Sequence, residues 1–119
     1  MPNCDAGLVS VLMSVYNGAP TLEKAAASVL AQTYHALELI LCDDASTDDT
    51  WRIMQRIAAQ DARVTIFQNK TNLGLGASLN ECLARAQGAY IARQDADDVS
   101  DSDRIERTMD FLLSSGAPY

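Results

Sequence analysis

Five aspartates, Asp95, Asp97, Asp98, Asp101 and Asp103, fall within nine positions directly after the short run Tyr90-Ile91-Ala92. Like charges packed so closely repel, so a folded chain keeps them only where water dilutes the charge or a cation neutralises it. Asp95 and Asp97 stand two apart at the end of an apolar run, where a turning chain brings both carboxylates together. Such an oxygen-rich pair suits a hard divalent ion, Mn²⁺ or Mg²⁺, with substrate phosphates and water completing its shell. Asp101 and Asp103 read instead as the solvated start of a helix. A calcium loop is the rival, with Asp95, Asp97, Asp101, Asp103 and Glu106 at positions 1, 3, 7, 9 and 12. It fails because Val99 stands at position 5 and Ser100 replaces the turn glycine.

A second acidic stretch, LCDDASTDD, runs from Leu41 to Asp49. Ser46 lies three residues before Asp49, the spacing of a capping box, and acids there favour the helix dipole. Asp43 and Asp44 precede the cap. One of them is placed to accept a hydrogen bond from a ligand N–H, which is how a carboxylate selects a base with an imide-like edge. In NLGLG, Gly74 and Gly76 begin a GxGxxG pattern, but Leu79 occupies the third glycine position, so a dinucleotide fingerprint is not expected. No GxxxxGK[ST] phosphate loop is present.

The elements that must hold these loops are legible in the hydrophobic pattern. Leu8 to Val15, Glu38 to Cys42, Val64 to Gln68 and Tyr90 to Gln94 read as strands, the first two nearly continuous in apolar residues, as strands buried on both faces are. Between and after them helical spacing recurs: Leu22, Ala25, Ala26, Val29 and Leu30; Trp51, Met54 and Ala58; Leu75, Leu79, Cys82, Leu83 and Ala86; Ile105, Met109, Leu112 and Leu113. Pro20 or Thr21 marks the first helix start, and Gly88 is placed to end the third. Four alternations imply a doubly wound, mostly parallel α/β sheet with helices on both faces, strand order 3-2-1-4. Ligands bind such sheets beyond the carboxyl ends of the strands, and SVYNG, DDASTDD and QDADD all sit there.

The chain has 119 residues, 48% of them hydrophobic, enough for one domain with a real core. Nine of its sixteen acids lie in the two loops, and the net charge of −7 argues against a nucleic-acid partner. Cys4, Cys42 and Cys82 have neither CxxC spacing nor more than one histidine to help, and read as buried or inert thiols. No apolar run approaches a bilayer span, and MPNCDAG lacks the features of a signal peptide; a cytoplasmic location is expected, with membrane association of a longer protein left open.

Taken in order, VSVLMSVYNG, LELILCDDASTDDT, NLGLGASLN and GAYIARQDADD resemble the successive motifs of the inverting family 2 glycosyltransferases with the GT-A fold, from about Leu8 to Arg107. The resemblance implies binding of a nucleotide-diphosphate sugar donor, commonly a uridine diphosphate sugar, through a divalent metal, and transfer with inversion to a glycan, lipid or protein acceptor. Carried over by position, Ser14 and Tyr16 would line the base and ribose pocket and Asp44 would contact the base. Asp-Ala-Asp matches the DXD motif, with Asp95 near the ribose or metal and Asp97 as principal metal ligand.

Leu79 precedes Asn80 where the family often carries an arginine, which removes one diphosphate contact. The family's general base lies on a later segment, beyond Tyr119. Residues 1–119 are therefore expected to be the donor-binding part of a longer enzyme, inactive in transfer alone, with the fourth strand an edge available for self-association. Two other classes compete. A receiver-like Mg²⁺-binding signalling domain would place its acidic pair after the first strand and a lysine after a fifth. A nucleotidyltransferase would need a basic phosphate loop where YNGAPT stands.

Overall fold

The computed structural model describes residues 5–115, so Cys4 lies outside them. Strand β1 (Asp5–Val15), helix α1 (Ala19–Leu30), β2 (Leu37–Asp43), α2 (Thr50–Gln60), β3 (Val64–Gln68), α3 (Leu75–Arg85), β4 (Gly88–Arg93) and α4 (Arg104–Ser115) follow one another in strict alternation. All four strands are parallel, in the order β3-β2-β1-β4. This is the doubly wound, Rossmann-like sheet expected from the pattern. Parallel pairing puts the chain's four β-to-α loops on one rim, and the register aligns Val15 with Asp43 and Asp43 with Gln68.

The nearly continuous apolar runs of β1 and β2 are explained by their two covered faces. Val9, Val11, Met13 and Val15, with Leu37, Leu39 and Leu41, face a core completed by Leu22, Ala25, Ala26 and Val29 of α1, Ile53, Met54 and Ile57 of α2, and Ile105 and Met109 of α4. The intervening Leu12, Ile40 and Cys42 face the other way and meet Cys82 of α3. Three helices thus cover one face and one the other. Each large apolar side chain so buried contributes about 1.5–3 kcal/mol. Cys42 and Cys82 are free thiols and buried, as the sequence led one to expect. Among the described residues no helix is long and apolar enough to cross a membrane.

Gly88 does not terminate α3. The helix ends at Arg85, and Ala86 already has extended backbone angles. Gly88 instead opens β4, its N–H donating to Ser10 Oγ at 2.9 Å. A Cβ at Gly88 would lie 2.6 Å from the Leu8 carbonyl oxygen and 2.7 Å from Ser10 Oγ, so the close approach of β4 to β1 requires glycine.

Candidate nucleotide and metal site

The first two loops on the rim are stitched together by one asparagine. Asn17, in the left-handed region at φ 51°, accepts on Oδ1 from the N–H of Thr47 at 2.8 Å and that of Asp48 at 3.3 Å. Its own N–H donates to Ser46 Oγ at 2.8 Å. The capping box predicted for Ser46 and Asp49 therefore does not form, because the Ser46 hydroxyl serves the neighbouring loop. Helix α2 starts at Thr50, whose N–H donates to Asp48 Oδ1 at 3.0 Å, while Asp48 Oδ2 accepts from Ala19 at the start of α1 at 3.2 Å. Burial pushes the Asp48 carboxyl up, but these bonds outweigh it and hold it below the usual range. The stitched loops present Tyr16, 54% exposed, at the exit of β1; Ser14, half-buried, lies one turn of the pleat inside, in register with Cys42.

Asp43 and Asp44 lie deeper than a ligand-facing role suggests. Asp43 is fully buried and accepts from the Ser46 N–H at 3.0 Å and Gln68 Nε2 at 2.9 Å. Asp44 reaches across to the third loop. Its carboxylate accepts from the N–H of Leu73 at 2.7 Å, the N–H of Gly74 at 3.0 Å and Asn69 Nδ2 at 2.9 Å. Gly74, at φ 90°, stands just before α3, so Asp44 acts as a remote cap on that helix, where unsatisfied N–H groups and the dipole favour an anion. Burial raises the Asp44 pKa, and the bonds from Leu73, Asn69 and Gly74 overcome it and leave the carboxyl below its ordinary value. Side chains from three loops thus meet at one edge, although the residues they bond lie up to 31 positions apart.

The fourth loop is built differently. Asp95, Asp97 and Asp98 are all exposed, and one carboxylate oxygen from each lies within 4.8 Å of the others. The turn that gathers them is closed by the Asp98 N–H donating to the Asp95 carbonyl at 3.1 Å. This donor set fits a hard divalent cation: three carboxylates, accessible to solvent and to a phosphate ligand, and only Asp95 is ion-paired among the described residues, with Arg93 at 3.3 Å. Asp101 and Asp103 do not join it; both pair with Arg107, at 3.5 and 3.1 Å. Glu106 accepts from Thr33 Oγ1, so the residues of a calcium loop diverge. The sequence singled out Asp97 and Asp95 and passed over Asp98, although its position beside Asp97 was the available signal.

Residues 10–117 match the family described as Glycosyl transferase family 2. The chain belongs to that family. It is 53% identical over 105 residues to EpsE of Bacillus subtilis (strain 168), a protein named as a glycosyltransferase, covering 87% of this chain and 38% of that one. The sheet and helices superpose on S. aureus TarS 1-349 in complex with UDP, with a TM-score of 0.83 and 25% identity over 89% of this chain and 32% of that one. The mannosyltransferase PcManGT of Pyrobaculum calidifontis, in complex with GDP-Man and Mn²⁺, superposes with a TM-score of 0.81 and 28% identity, covering 87% of this chain and 32% of that one. The fold of this family 2 member is thus the GT-A type. The chain spans between about a third and two fifths of these proteins' lengths.

Proposed function

We propose that this family 2 chain supplies the donor-binding part of a glycosyltransferase, taking a nucleotide-diphosphate sugar through a divalent metal. The observation that carries the reading is the exposed trio Asp95, Asp97 and Asp98, gathered on the same rim as Tyr16 and Asp44. The nucleotides in the TarS and PcManGT complexes support the ligand class, and the Mn²⁺ of the latter supports the cation.

In this reading Asp97, with Asp95 and Asp98, holds Mn²⁺ or Mg²⁺. A divalent ion held there would supply positive charge to stabilise the diphosphate leaving group of an inverting transfer. Tyr16 and Ser14 line the base and ribose side. Asp44, though buried, holds the Leu73-Gly74 segment beside the base, and its Oδ2, which accepts from Gly74, would take a further hydrogen bond from the base, uracil in the favoured case. The acceptor is a glycan, lipid or protein bearing a nucleophilic hydroxyl.

Titration calorimetry with uridine diphosphate, in Mn²⁺ and in chelator, tests this. Binding should require the metal and fall at least about 100-fold, roughly 2.7 kcal/mol, in Asp97→Asn. Guanosine diphosphate is the second arm, and tighter binding of it would reassign the base. Equal affinity in metal and chelator removes the metal reading.

A further inference from the structure

Three carboxylates held within reach of one ion repel one another, and a loop of exposed residues would relieve that by opening. What keeps the aspartate turn closed is found beneath it. Gln94, the residue just before Asp95, is 4% exposed, and its side chain lies under the loop. Its Nε2 donates to the Asp98 carbonyl at 3.0 Å, to the Ala25 carbonyl at 3.1 Å and to Ser28 Oγ at 3.3 Å. Its Oε1 accepts from Ser100 Oγ and, at 3.4 Å, from Arg104 Nη1. Ser28 Oγ in turn accepts from the Ser100 N–H at 3.0 Å. One buried amide thus ties the carbonyl of a candidate ligand residue, the residue that follows the turn and the side of α1 into a single unit.

We propose that Gln94 is a positioning residue for the metal site: its amide fixes the Asp95–Asp98 turn against α1 in the geometry that brings the three carboxylates together. The proposal rests on the metal-dependent reading above. Outer partners that orient metal ligands typically change affinity about 10- to 100-fold when removed, without touching the ion. A second buried amide provides the control. Gln32, 1% exposed, donates to the Asp101 carbonyl at 2.6 Å and accepts from the Ile105 N–H at 3.0 Å. It anchors the far end of the same loop and the start of α4, but no atom of the aspartate turn.

The test measures Mn²⁺ affinity directly, by calorimetry on the purified protein without nucleotide, alongside thermal stability. Gln94→Met keeps length and removes both donor and acceptor; Mn²⁺ affinity should fall about 10-fold or more. Gln32→Met should lower stability comparably and leave Mn²⁺ affinity within about twofold. Should Gln94→Met fail to fold, Ser28→Ala removes the shared anchor more gently, with about a threefold loss expected. Unchanged Mn²⁺ affinity in the Gln94 or Ser28 variant, or an equal loss in Gln32→Met, overturns the positioning role while leaving the metal site standing. Absence of Mn²⁺ binding by the unsubstituted protein overturns the metal reading and this inference together.

Discussion

Between Asp43 and Asp48 the carboxylates turn inward: Asp43 and Asp44 are buried, and with Asp48 they accept backbone N–H groups from the loops around them. Between Asp95 and Asp98 they stay at the surface, three together within 4.8 Å. Both stretches are short acidic runs after a strand, yet one uses its charge to build the rim and the other leaves its charge exposed on it. A carboxylate surrounded by fixed N–H donors is stabilised as an anion by the protein itself. Exposed carboxylates gathered together, with Arg93 pairing Asp95 alone among the described residues, repel one another, and the proposed cation would relieve that repulsion.

The sharpest way to break this contrast is the same substitution in both places. Asp44→Asn puts an amide where an acceptor faces the Leu73 and Gly74 N–H groups, leaving a buried donor unsatisfied; a loss of about 2–3 kcal/mol in urea unfolding is expected. Asp97→Asn removes one of three repelling charges and should leave metal-free stability unchanged or slightly raised. Equal destabilisation by the two variants would erase the distinction.

Acid separates the loops next. Asp44 and Asp48 have folded pKa values below the ordinary one, so the stability they contribute is complete above an unfolded pKa of about 3.9 and is lost as pH falls through the lower folded values. The stability gap between the unsubstituted protein and Asp44→Asn should therefore hold steady down to about pH 4 and narrow as pH falls from about 4 to below 3. A gap of constant size over that range would show that Asp44 acts by shape and not by charge.

The smallest effect expected sharpens the building role of the inward loop. Ala45, beside Asp44, is held at φ 60°, a conformation that costs an ordinary L-residue about 1 kcal/mol. Ala45→Gly relieves that strain and gives back part of it as unfolded-chain entropy, for a net gain of about 0.5 kcal/mol. A clear loss of thermal stability in this variant would mean that the Ala45 methyl contributes packing that outweighs the strain.

The alternation of elements, the parallel sheet and its strand order were legible because burial on two faces writes itself locally, as the apolar runs of β1 and β2 and the helical spacing after each. The aspartates after β4 were legible as a charge problem, since repulsion among near neighbours follows from their spacing in the chain. Tertiary structure alone decided how each acid is used. Asp44 meets Leu73 and Gly74, Ser46 meets Asn17 in place of a helix start, Gly88 lies against Ser10, and Gln94 braces Asp98 against Ala25, most of these pairs lying 29 to 78 positions apart. Sequence spacing determines which charges must be near one another along the chain. Which backbone groups come to face them depends on how the folded loops cross the rim, and that depends on the packing of the whole sheet.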